Sequence, residues 1–111
     1  MRPVTLGQVL VSIVIPAFNE EKYLPGTLRA AHKACAVFDQ AGWASEIVVC
    51  DNNSTDQTAS VARASCVQVV FESFNQIAAS RNAAGNAARG DWLVYVAVSY
   101  THQTLPTKRE V

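Results

Sequence analysis

No stretch of this sequence is apolar for long enough to cross a bilayer. The longest such run, Val9 to Ile15, is interrupted by Ser12 and stops at Pro16. A membrane helix needs roughly 20 residues. Arg2 precedes the run, but no small-residue cleavage site follows it, so the run reads as a strand rather than a signal peptide. A glycine-rich phosphate loop is also missing. Neither G-x-G-x-x-G nor a Walker A motif occurs, which removes the phosphate cradle of a nicotinamide-binding or P-loop site. Charge is scarce and balanced: 16% of residues are charged, nine acidic against nine basic. Such a balance offers nothing to a polyanion and argues against a nucleic-acid partner. Cys35, Cys50 and Cys66 match no zinc or redox spacing. They are read as small core residues of a reducing compartment.

What is present is apolar residue in quantity. Half of the 111 residues are hydrophobic, enough to bury the core of one small domain or of part of a larger one. Val9–Ile15 is β-branched and predicts a strand buried on both faces, ended by Pro16. Asn19 is placed to cap the next helix, with Glu20 and Glu21 in its first turn. Pro25 is tolerated only near that start. Leu24, Leu28, Ala31, Cys35 and Phe38 then form one apolar helical stripe, and Gly42 is a reasonable stop. Glu46–Asp51 predicts the second strand, and Thr58–Ser65 a short helix with Val61 and Ala64 inward. Val67–Phe71 predicts the third strand. Asn75–Arg89 predicts an alanine-rich helix with Ile77, Ala84 and Ala88 on one side, and Asp91–Val96 the fourth strand. Gly85 costs that helix about 1 kcal/mol relative to alanine, which makes sense if something packs closely on it.

Strands alternating with helices predict a doubly wound α/β fold, a mainly parallel sheet with flanking helices. Ligands of such sheets bind at the carboxyl ends of the strands. Pro16 to Glu20 follow the first strand and Asp51 to Asp56 the second, so their polar groups share one rim. Asp51 has two readings. A carboxylate only accepts hydrogen bonds, so it would take the imino N–H of uracil, thymine or guanine and disfavour cytosine. It would equally cap the turn after it. Glu20 would contact base or ribose, or sit at a helix N-terminus. Asn53 and Ser54 suit a turn as well as a ligand. Arg81 would reach a diphosphate or remain a solvated charge. His32, His102, Trp43 and Trp92 are read as structural or solvated.

Three segments together carry a family resemblance. Val11-Ser-Ile-Val-Ile-Pro-Ala-Phe-Asn-Glu20, Asp51-Asn-Asn-Ser-Thr-Asp-Gln-Thr58 and Ser80-Arg-Asn-Ala-Ala-Gly85 with Ala88-Arg-Gly-Asp91 resemble, in order, the signatures of family 2 glycosyltransferases. The resemblance covers about residues 9 to 96. It implies a Rossmann-like GT-A nucleotide-sugar-binding domain and a UDP-, dTDP- or GDP-sugar donor. It also implies transfer with inversion, in the manner of a hexosyltransferase, to an unknown acceptor (saccharide, lipid or protein). Pro16, Ala17 and Glu20 would line the nucleoside pocket, with Asn53 beside it. Asp51 would bind the base and Arg81 would lie near the diphosphate. The expected location is the cytoplasm, at the inner face of a membrane as an option for the full-length protein.

The sequence departs from the family after the fourth strand. There the family carries an Asp-x-Asp motif that holds Mg²⁺ or Mn²⁺. Ala97 and Ser99 occupy those positions here, so no metal is expected on this chain, although the full-length family member would use one. The general base would also lie beyond this chain. The expectation is therefore an incomplete domain over residues 1–97, with residues 98–111 a non-native or disordered tail. Leu93, Val94 and Val96 would then line an exposed apolar edge. The chain would act as an inactive fragment or as a metal-independent nucleotide-sugar-binding module.

Overall fold

Eight consecutive residues starting at Leu10 are buried, and they form the hub of the sheet. The computed structural model describes residues 8–98. Its elements follow in the order β1 (Leu10–Ala17), α1 (Leu24–Gln40), β2 (Ala44–Asp51), α2 (Thr58–Ala64), β3 (Gln68–Phe71), α3 (Ile77–Ala87) and β4 (Trp92–Tyr95). The sheet order is β3-β2-β1-β4, and every pairing is parallel. The chain thus winds outward from β1 through β2 to β3, then returns to place β4 on the far side of β1. That reversal is a topological switch point, where open α/β sheets bind ligands.

Helices cover both faces. Ile13, Ile15 and Ala17 of β1 and Ile47 and Val49 of β2 pack with Leu24, Leu28, Ala31 and Cys35 of α1 and Ala62 of α2. Val14, Val48 and Cys50 point the other way, onto Ala84 of α3. Burial on both faces explains the unbroken apolar run. Each fully buried valine or isoleucine contributes about 1.5–3 kcal/mol. The predicted α1 stripe is the buried one, with Phe38 packed at its margin.

Several local expectations are corrected. β1 does not stop at Pro16 but runs on to Ala17. The carbonyls of Val9 and Ala17 accept from Ala44 and Asn52 on the β2 side, and those of Leu10 and Val14 from Asp91 and Val96 on the β4 side. Even-numbered residues therefore turn their backbone toward β4, whose ladder ends at the pair Val14 and Tyr95. Pro16 lies past that end, so its missing N–H removes no ladder bond. Asn19 caps no helix: α1 starts at Leu24 with Pro25 in its first turn and no acid there. In α2, Val61 packs against the core as expected, but the fully buried residues are Thr58 and Ala62, and Ala64 is exposed. Ile77 opens α3 with 62% of its surface exposed. Cys66 is exposed, at a positive φ of 60°, whereas Cys35 and Cys50 are buried.

Gly85 meets its expected neighbour. A Cβ there would stand 2.7 Å from the Tyr95 hydroxyl. Leu93 and Val94 are exposed on β4, and Val96 packs at the edge of the α1-side core. Val98 is buried in that same core. The remainder of the expected tail, Ser99 included, lies outside the described residues.

At the opposite end of the sheet from the switch point lies a polar knot. The Glu46 carboxylate accepts from the Ser12 hydroxyl at 2.6 Å and from the Arg89 backbone N–H at 2.7 Å. It also pairs with the Arg89 guanidinium at 3.2 Å. Ser12 Oγ in turn accepts from the Gly90 N–H at 2.9 Å, and the Leu10 N–H donates to Asp91 at 3.0 Å. A Cβ on Gly90 would fall on the Ser12 hydroxyl and lie 2.8 Å from the Ser12 nitrogen. Gly90→Ala should therefore cost about 1–3 kcal/mol by overpacking, read from the urea midpoint. Burial would raise the Glu46 carboxyl, but the Arg89 N–H, the Ser12 hydroxyl and the Arg89 guanidinium outweigh it and hold it below its usual range. A depressed folded-state value contributes stability that is present above the unfolded value near 4.5 and is lost as pH falls through the folded one. Glu46→Gln should flatten the acid limb of the stability profile below that pH, measured by denaturation at stepped pH.

Candidate functional site

The turns that follow β1 and β2 are stitched to each other. The Asn19 N–H donates to Ser54 Oγ at 2.9 Å, and Asn19 Oδ1 accepts from the Thr55 N–H at 2.8 Å. The Glu20 N–H donates to the Thr58 hydroxyl at 2.8 Å, and that of Glu21 to Asp56 at 3.2 Å. Asn19 holds φ at 50° and Asn53 at 60°, the left-handed region that asparagine tolerates best after glycine. Burial pulls the Asp56 carboxyl up, but bonds from the Thr58 hydroxyl and N–H and from the Glu21 N–H hold it below its usual range.

A third connection joins this rim. The Asn52 side-chain amide donates to the carbonyls of Glu72 at 3.0 Å and Phe74 at 2.7 Å. Asn75 returns a bond to the Asn52 carbonyl at 2.6 Å. Asn53 donates to the Ser73 carbonyl at 3.3 Å and to Asn75 Oδ1 at 3.2 Å. The loop between β3 and α3 is thereby anchored to the end of β2.

Between these turns and the segment after β4 opens a cleft of about 200 Å³. Pro16, Ala17, Phe18 and Glu20 line it from the end of β1 and Asn52 from β2. Ile77 and Ser80 of α3 close one side, and Ala97 and Val98 the other. The sequence-predicted Pro16, Ala17 and Glu20 thus stand together. Asp51 is buried at the end of β2, beside Ala17 in the strand register. Its Oδ1 accepts from the Ser54 N–H at 3.0 Å, so the capping reading of Asp51 is real. A carboxylate has a second oxygen to offer, and capping does not use it.

Three predicted residues, Asp51, Asn53 and Arg81, stand apart from the cleft wall. Asn53 is exposed and engaged with the β3–α3 loop. Arg81 is exposed and lays its guanidinium 4.7 Å from the centre of the Tyr95 ring, a cation–π contact. Conversely, Asn52, Ile77 and Ser80 line the cleft without having been singled out as site residues. Ser80 sits inside a quoted motif, so a polar residue on an alanine-rich helix was the available signal. Its hydroxyl is fully buried and makes no hydrogen bond of good geometry. The nearby Cys50 thiol is pushed up by burial, with the Ser80 hydroxyl offsetting part of that rise.

A model of glycosyl transferase family 2 matches residues 12–98. The chain belongs to that family. An undecaprenyl-phosphate 4-deoxy-4-formamido-L-arabinose transferase of Pseudomonas aeruginosa is 46% identical over 55 residues, which is 50% of this chain and 15% of that protein. An uncharacterised glycosyltransferase of Mycobacterium tuberculosis is 44% identical over 62 residues, 56% of this chain and 24% of that protein. Among solved structures, glucosyl-3-phosphoglycerate synthase of M. tuberculosis with Mn²⁺, UDP and glucosyl-3-phosphoglycerate superposes with a TM-score of 0.66 at 25% identity. The match covers 83% of this chain and 34% of that one. Mannosyl-3-phosphoglycerate synthase of Rubrobacter xylanophilus, at a TM-score of 0.68 and 24% identity, shares the fold over 81% of this chain. The sheet and its flanking helices are thus those of GT-A glycosyltransferases. The chain spans between a sixth and a quarter of the length of these curated relatives.

The cleft does not suit a divalent cation as it stands. Mg²⁺ and Mn²⁺ want carboxylate oxygens, but Ala97 presents only a methyl group, and the acid lining the cleft is Glu20. Among the described residues no three of His, Cys, Asp or Glu converge. No helix of the described residues is long and apolar enough to cross a membrane.

The clamp makes a direct prediction. Asn52→Ala removes two buried bonds of about 1 kcal/mol each and should speed proteolytic cleavage between Glu72 and Gln76, followed by limited digestion.

Proposed function

We propose that the cleft takes the nucleoside of a UDP-, dTDP- or GDP-sugar, and that the full-length protein transfers the sugar with inversion to an acceptor. The observation that carries this reading is the composition of the cleft at the switch point. One acid and no cation line it, and the rest of its wall is largely apolar. Such a site suits a neutral, flat base and ribose and repels phosphate. Pro16 and Ala17 form the wall against the base, and Glu20 accepts from the ribose hydroxyls. Asp51 accepts the imino N–H of the base, while Asn53 holds its loop in place. Arg81 stands outside the cleft and would turn from Tyr95 to the diphosphate. The UDP bound by the mycobacterial synthase supports a nucleoside diphosphate here. The undecaprenyl-phosphate in the name of the Pseudomonas relative supports a lipid-phosphate acceptor. In the full-length protein Mg²⁺ or Mn²⁺ would neutralise the diphosphate as it leaves.

A second reading has its own observation. Ala97 puts a methyl group where the family carries an acid, which favours a metal-independent nucleotide-sugar-binding module. Calorimetric titration of the 111-residue chain with UDP, GDP and CDP, with and without Mg²⁺, tests both. UDP or GDP should bind about tenfold or more tightly than CDP, since a charge-assisted bond contributes about 1.5–3 kcal/mol. Asp51→Asn keeps an acceptor for Ser54 but adds a donor that cytosine N3 accepts, so the preference should level or reverse. Equal affinity for all three nucleotides in the unaltered chain would overturn the reading. Affinity that rises with Mg²⁺ would favour the transferase half over the metal-independent module.

A further inference from the structure

Every buried polar side-chain atom among the described residues has a hydrogen-bond partner except one. That atom is Ser80 Oγ. Ser80 lies on the first turn and a half of α3 and is fully buried at the cleft wall. The Cys50 thiol is near enough for the Ser80 hydroxyl to offset part of the rise that burial gives it, but a thiol is a weak acceptor. An unsatisfied buried hydroxyl is destabilising, and alanine at this site would avoid that. The α3 helix is otherwise rich in alanine, with Ala78, Ala79, Ala83, Ala84 and Ala87.

We propose that Ser80 is a specificity-determining residue that donates its hydroxyl proton to a carbonyl oxygen of the bound nucleobase. The proposal rests on the nucleoside reading of the cleft and adds a contact to it. The contact requires Oγ to turn about χ1 toward the cleft that Ser80 lines. With Asp51 taking the imino N–H in the nucleoside reading, the hydroxyl adds a donor beside that acceptor. Uracil, thymine and guanine present the matching set, an imino N–H next to a carbonyl. Phosphate is the poorer partner for this hydroxyl. No lysine or arginine lines the cleft, and Arg81, the next residue, is directed to Tyr95 outside it.

Two variants and two ligands test this on the full chain. Ser80→Ala removes the hydroxyl, and Ser80→Cys keeps the volume with a poor donor. Both should bind uridine and UDP about five- to tenfold more weakly than the parent by calorimetry, which is the loss of one ordinary hydrogen bond. Ser80→Ala should also leave the thermal midpoint of the free chain unchanged or raised, because it deletes an unpaired buried hydroxyl. Unchanged uridine affinity in both variants would overturn the proposal. So would a loss seen with UDP but not with uridine, which would put the contact on phosphate. If the parent chain binds neither ligand, the nucleoside reading itself fails, and that outcome is visible before any variant is made.

Discussion

Glu46 joins three segments that are far apart in the chain. Its carboxylate is buried and holds the hydroxyl of Ser12 on β1 and both the backbone and side chain of Arg89 before β4. Gly90 completes the knot by bonding to the same hydroxyl. These contacts pin the start of β4 beside the start of β1, on the side away from β2. The reversal of strand order follows from that placement, and so does the crevice at the other end of the strands. A buried carboxylate is expensive to desolvate. Here four hydrogen bonds from Ser12 and Arg89 offset the cost, and the carboxyl stays ionised.

The cleft end of the sheet is built differently. Its loops are held by side chains that bond to the backbone of other loops. Asn19 reaches the turn after β2, and Asn52 and Asn53 reach the loop after β3. Asparagine suits this work because it offers both donors and an acceptor and tolerates positive φ. The result is a rim whose backbone is tied down, with Glu20 and Ser80 on the cleft wall and Asp51 buried behind it at the end of β2.

Two departures at the cleft bear on chemistry. Ala97 contributes a methyl group beside Pro16 and Glu20, so the carboxylates that would hold a cation against a diphosphate are not part of this wall. Arg81 lies over Tyr95, whose hydroxyl is accommodated by Gly85. The glycine, the tyrosine and the arginine form one packed unit where α3 meets β4. The cleft wall and the Arg81 guanidinium therefore belong to different parts of the surface.

The order and type of all seven elements were legible in the sequence, because burial on both faces of a parallel sheet leaves long β-branched runs and one clear helical stripe in α1. The family was legible from three short motifs in sequence order. Local details were not. Pro16 looked like a strand end because hydrogen-bond direction depends on which neighbour each residue faces, and that is fixed only once β4 is placed. Asn19 looked like a helix cap because its true partner, Thr55, lies 36 positions away. Ile77 falls on one helical side with Ala84 and Ala88, but helical period does not reveal that the start of α3 borders a cleft. The sequence by itself determined the αβ alternation, the core stripe and the residues of the rim, all of which depend on neighbours a few positions apart. Only the tertiary structure decided that Pro16, Ala17, Glu20 and Ser80 share one cleft while Asn53 and Arg81 face elsewhere, since that depends on the crossing of β4 to the far side of β1.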